Sequence, residues 1–200
     1  MKHEDSVRSA ALLVARVALG ASIAAHGAQK LLGWFDGPGI EGATNMMSGL
    51  GFQPPERYAR AASLAEITAG GLIGAGALGP VGPAILVSVM TVAVSTIHFR
   101  NGYFATNNGF ELNTMYGIAA LLLAVSGNGG LSVDELIGLR KKTSPLLGAL
   151  AIVGGLGGAA FMLSRRTQQP PKPEMKQEWP RAATETGTID APTQSFTPNF

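Results

Sequence analysis

Two hundred residues with 46% apolar and only 14% charged side chains fall well short of the roughly 25% charge usual in soluble domains, and the mean hydropathy is +0.22. A formal net charge of +2, without an arginine cluster interleaved with aromatics, excludes a nucleic-acid binder. The absence of cysteine removes disulfides, thiol catalysis and iron–sulfur ligation by the chain itself.

The charge deficit is concentrated. Between residues 61 and 97 the only charged side chain is Glu66, and residues 112–133 and 143–164 carry none. Runs of roughly 18 or more uncharged, mostly apolar residues are long enough to cross a bilayer as helix. One such run can be a buried core helix; several in one short chain exceed what a 200-residue globule can hide. The glycines fit this reading, because small residues let membrane helices approach closely.

In chain order, the first apolar segment covers residues 9–32. Arg16 interrupts it and it runs past the Ala25-His26-Gly27-Ala28 stretch, so an anchored helix is expected rather than a cleaved signal. Residues 33–53 read as a Gly/Pro/Asp loop, closed by Pro54-Pro55. A second segment spans 58–78, a Gly79-Pro80-Val81-Gly82-Pro83 turn follows, and a third segment runs to about residue 99. Residues 100–109 are a polar loop, and a fourth segment covers 110–125. Ser132 and Glu135 fit a capping box, opening a short interfacial helix to about residue 142. A fifth segment occupies 145–163, and the Pro-, Thr- and Gln-rich stretch from 165 reads as a disordered polar tail.

The expected fold is therefore all-α: a polytopic four-helix membrane bundle over residues 1–142, a fifth transmembrane helix over 143–164, and a tail over 165–200. Flanking positive charge hardly separates the two sides: Lys2, Arg8 and 140–142 stand against Lys30, Arg57, Arg60 and Arg100. The lean is to an N-terminus inside.

Ionisable groups within a membrane need a partner, a wet cavity or the interface. Arg16, His26 and Lys30 fall within a helical sector of about 80°. Glu66 lies on the second segment, His98 ends the third and Glu111 starts the fourth. Because successive spans reverse direction, His26, Lys30, Glu66, His98 and Glu111 should share one half of the membrane. Arg16 lies about 15 Å deeper than His26. These six residues form the candidate polar pocket, open toward the side of the first and third loops. A pair that only fixes helix register is the plainer alternative, as are headgroup positions for Lys30, His98 and Glu111. Ser88, Thr91, Ser95 and His98 make a second polar stripe. His26 and His98 would be the only internal pair for haem, and no metal site is expected.

At these residues the chain resembles the DoxX family of small bacterial integral membrane proteins. The matching elements begin with Arg16-x3-Gly20-x5-His26-Gly27-x2-Lys30-x2-Gly33, Leu50-Gly51-Phe52, Glu66-x3-Gly70-Gly71 and Gly76. His98, Gly109-x-Glu111, Gly127-x-Gly129 and Leu131-Ser132-Val133-Asp134 continue the pattern, so that it covers residues 9–136. The resemblance implies a four-helix membrane protein, with relatives that include the small subunit of a thiosulfate:quinone oxidoreductase.

On that basis the chain is expected in the bacterial inner membrane as a subunit or accessory protein of a redox system. Membrane lipid surrounds it, a redox protein is its expected partner, and quinone is the expected ligand. With no cysteine, flavin or dinucleotide fingerprint, catalysis by the chain alone is not expected. The rivals are a membrane scaffold or assembly protein, motivated by the short helix, extra span and tail, and a small-metabolite carrier. The carrier lacks the paired halves that many transporters show.

Overall fold

The computed structural model describes residues 2–139 and 144–167. Every regular element among them is helical: α1 (Lys2–Leu32), α2 (Gly39–Gly49), α3 (Pro55–Ala75), α4 (Val81–Ala93), α5 (Glu111–Ser126), α6 (Val133–Leu136) and α7 (Pro145–Ser164). Three helical stretches are long and apolar enough to cross a membrane: Asp5–Leu32, Val81–Asn101 and Pro145–Ser164. α3 has the length but carries Glu56, Arg57, Arg60 and Glu66, and α5 has the apolar character at 16 residues.

α1 runs along α3, and the sequence explains how closely. A Cβ added at Gly20 would stand 2.5 Å from the Gly70 carbonyl, and one at Gly27 2.6 Å from the Ser63 carbonyl. With no side chain in the way, the two backbones touch and dispersion replaces the hydrophobic drive that lipid cannot supply. Both α3 and α7 pack on α4, and α5 lies against α4 and α7. Ile23, Ile73, Leu86, Leu123 and Ile152, one from each of α1, α3, α4, α5 and α7, meet in one buried core.

Three local differences from the sequence reading have clear causes. The expected loop over 33–53 contains α2, because Ile40, Ala43, Met47 and Leu50 recur at helical spacing and pack over Phe52 and Ala59. α6 begins as expected, with the Ser132 hydroxyl accepting from the Glu135 amide at 3.2 Å, but it ends at Leu136. Gly138 at φ 71° turns the chain there, and residues 140–143 lie outside the described residues. The start of the expected tail is also fixed. The Thr167 amide donates to the Gly51 carbonyl at 2.9 Å, and Arg166 Nε donates to the Leu50 carbonyl at 2.8 Å. The rest of the expected tail, 168–200, lies outside the described residues.

The end of α4 is irregular. Thr91, Ser95 and Thr96 each return a hydroxyl to the carbonyl four residues earlier at 2.8 Å, a bond that competes with the helical ladder. Over Val94–His98 the helix widens to a π turn, then tightens over Phe99–Asn101. Such turns often accompany functional sites.

Candidate functional site

A cavity of about 550 Å³ lies among α2, α3, α4 and α7. Apart from Glu66, α3 offers it only small side chains, Ala61, Ala62 and Ala65, and apart from Met162 α7 offers Ala151, Gly154, Gly155 and Gly158. That absence of bulk leaves the space. Met46 and Met47 of α2, Val89 and Val92 of α4 and Met162 of α7 supply flexible and branched apolar walls. The stitch between residues 50–52 and 166–167 ties the end of α7 to the segment carrying Phe52, which also lines the cavity.

The charged groups in this wall are Lys30 and Glu66. They form an ion pair through Lys30 Nζ and Glu66 Oε1. The carboxylate side chain is 5% exposed and the lysine 27%, so the lysine comes in from the edge while the acid sits inside. Glu66 Oε2 is buried and meets no hydrogen-bond donor. A buried carboxylate held by one cation is therefore half satisfied. Ser88, also in the wall, is the one member of the expected α4 stripe that reaches this cavity; Thr91 and Ser95 line a separate shallow groove against α5.

The other four candidate residues serve different places, so the expected six-residue cluster reduces here to one pair. Glu111 opens α5 and its Oε2 accepts from the Ala105 amide at 2.9 Å, fixing the 99–110 loop. His98 holds the same loop: its Nδ1 donates to the Asn108 carbonyl at 2.8 Å. His26 is exposed on α1, with Nδ1 3.2 Å from Gln29 Oε1 and its ring edge-on to Tyr116 at 6.4 Å. The two histidine rings thus belong to separate networks. Shared depth, read from the order of the spans, places residues in one layer but does not say which face each turns to.

Arg16 points to the opposite end of the bundle. It is fully buried, with Nη2 donating to the Leu131 carbonyl and Nε to the Leu12 carbonyl at 3.3 Å. Its neighbourhood contains a structural carboxylate that sequence reasoning did not single out as a site. Asp134 is 0% exposed. It accepts from the amides of Leu78 at 2.8 Å and Gly79 at 2.7 Å, and from Asn128 Nδ2 at 2.7 Å. Its charge offsets that of Arg16. Gly76, at φ 65°, lets the chain leave α3 directly beside the guanidinium. The available sequence signal was the Leu131-Ser132-Val133-Asp134 stretch; nothing in its spacing reveals a partner more than 50 residues earlier.

Comparison with known proteins agrees with the architecture. Residues 11–99 match the DoxX family. A 60-residue stretch is 38% identical to an uncharacterized protein of Haemophilus influenzae, covering 30% of this chain and 38% of that protein. The chain thus spans less than two thirds of that relative's length. No solved structure matches. The family match and the apolar helices together make this a multi-pass protein of the bacterial inner membrane.

Proposed function

We propose that this DoxX-matching membrane chain is a subunit or accessory protein of a redox system, and that it holds a lipid-soluble quinone in the cavity among α2, α3, α4 and α7. The observation that carries the reading is a largely apolar cavity of about 550 Å³ whose wall holds a buried carboxylate paired with a lysine at its edge. A prenylated quinone needs that combination: an apolar trough for its tail and a few fixed polar groups for its head. In this reading Lys30 and Glu66 orient the head, Met46, Met47 and Met162 adapt to the tail, and α7 closes the far wall. The bound quinone supplies the electron-carrying chemistry, and the electrons come from a partner protein, since the chain has no thiol.

The same proposal fixes the architecture. α1, α3, α4 and α5 form the four-span domain over residues 1–142, α7 is a fifth span within 143–164, and 165–200 is a tail. The charges at the start of α3 lie at the interface, and Glu66 is accepted at depth because Lys30 compensates it. α5 is about 24 Å long, short for a hydrocarbon layer of about 30 Å, and local thinning accommodates such a span. With the N-terminus inside, the Lys30–Glu66 end opens toward the outer half.

A second reading has one feature in its favour. Leu136 and Ile137 of the α6 turn are 86% and 59% exposed, a surface on which a scaffold would seat a partner. Purification of wild type and Glu66→Gln in mild detergent, with mass spectrometry of lipids, quinones and proteins, separates the two. The redox reading expects stoichiometric quinone with an oxidoreductase, and loss of the quinone in the variant. Protein partners without quinone from intact protein would replace it with the scaffold.

A further inference from the structure

We infer that the ligand enters this cavity sideways from the hydrocarbon, through a portal edged by Ala61 of α3 and Gly154 and Gly158 of α7, and that its tail end stays in the lipid. The inference rests on the quinone reading above and adds the phase that delivers the ligand. Its basis is which parts of the wall are exposed. The exposed lining residues are Ala61, Val81, Gly154 and Gly158, and none has a polar side chain. The polar members of the wall, Lys30, Glu66, Ser88 and Thr96, are buried or half-buried. Gly154 stands in the middle of α7 (Pro145–Ser164), which in a spanning helix is the depth of the hydrocarbon core. A Cβ at Gly154 meets nothing within 4 Å, whereas one at Gly158 would stand 3.4 Å from Ser88 Oγ on the α4 wall. The rim is thus open at Gly154, and Gly158 borders the interior.

The end nearest water is covered. α2 lies at the end of the bundle where α1 stops and α3 starts, and it packs on both. Its Met47 is buried, and so is Phe52 just beyond it. Phe52 is held from two sides: its ring centroid is 5.0 Å from that of Tyr58 on α3, and the Arg166 guanidinium, beyond α7, lies 5.8 Å from it. Lys30 occupies the α1 edge, its ammonium held by Glu66. What stays open is apolar, and it offers a water-soluble ligand no polar group to approach. Size points the same way. About 550 Å³ is the volume of a site for one drug-sized body. The far end of a long polyprenyl chain therefore lies outside, and the open rim leads it into lipid.

The test needs only the wild-type full chain in lipid nanodiscs, with Kd referred to the lipid phase and read from displacement of radiolabelled decylubiquinone. Two analogues alter the last carbon of the decyl tail, one carrying a bulky apolar benzophenone and the other a trimethylammonium. A portal into hydrocarbon accepts bulk and rejects charge. The benzophenone analogue should bind within about threefold of decylubiquinone. The trimethylammonium analogue should bind about a hundredfold more weakly, because its fixed charge would lie at the depth of Gly154. On illumination the bound benzophenone should label lipid and the α7 peptide containing Gly154 and Gly158. Rejection of both analogues would mean a closed cavity, and acceptance of the charged one an opening to water; either overturns the portal while the quinone site stands. Labelling confined to α2 or to the Lys30 edge of α1 overturns it as well. No binding of decylubiquinone by folded wild type overturns the site and the portal together.

Discussion

Replacing Asp134 by alanine should cost more stability than any surface carboxylate in the chain. The side chain is wholly buried and satisfies two main-chain amides and one side-chain amide. Asn128 is itself buried and its loss adds to theirs. Leu78 and Gly79 cannot turn to another acceptor, because they sit in a tight turn at φ 59° and φ 56° between α3 and α4. Each buried donor left without an acceptor costs about 1–3 kcal/mol, so two fixed donors cost about 2–6 kcal/mol. Arg16 also loses the charge that offsets its own, which adds in the same direction. Glu111→Gln is the comparator: the exposed bond to the Ala105 amide keeps its acceptor, and the loss should stay within about 0.5 kcal/mol. Reversible unfolding by denaturing detergent titrated into mixed micelles, followed by circular dichroism, gives both values. A loss below about 1 kcal/mol for Asp134→Ala would refute the argument that this carboxylate holds the α3–α4 turn.

Three further outcomes follow from the geometry. Gly70→Leu should separate α1 from α3 at their backbone contact with Gly20 and cost about 1–3 kcal/mol or more; unfolding curves indistinguishable from wild type would contradict it. Glu66→Leu alone strands Lys30 and Lys30→Met alone strands a buried carboxylate, the latter at about 3–5 kcal/mol, whereas the double variant should come close to wild type. A double variant no more stable than Lys30→Met would sink the pairing argument. Gly154→Leu should fill the cavity, because a Cβ there meets nothing within 4 Å. Retained quinone should fall about tenfold with the unfolding midpoint nearly unchanged, and full retention would place the ligand elsewhere.

The helices were legible in the sequence because hydrocarbon imposes a simple rule: charges disappear for the length of a span. The starts of α5 and α7 fell within a residue or two of where that rule put them, and the Ser132 cap was readable from three residues of spacing. α2 was missed because four glycines and a proline between residues 37 and 49 outweighed the apolar spacing of Ile40, Ala43 and Met47. Lys30 and Glu66 were legible as a layer, and the bundle joins them. His26, His98 and Glu111 were drawn into the same cluster because sequence order gives depth, whereas rotation about each helix decides the partner; Arg16, set deeper from the start, joined them through the helical sector it shares with His26 and Lys30. The cavity itself was not legible. It comes from small residues on α3 and α7, which are far apart in the chain and both pack on α4.

That cavity is the centre of the functional account, and a photoreactive quinone tests it most directly. Membranes containing the full chain would be illuminated with an azido-quinone and the labelled peptides mapped by mass spectrometry, with decylubiquinone as competitor. The account expects competable labelling on α2, α3, α4 and α7 around Met46, Ala65, Val89 and Met162, and its loss in Gly154→Leu. Labelling confined to the outer face of α1 and α5, or labelling that decylubiquinone does not displace, would contradict it.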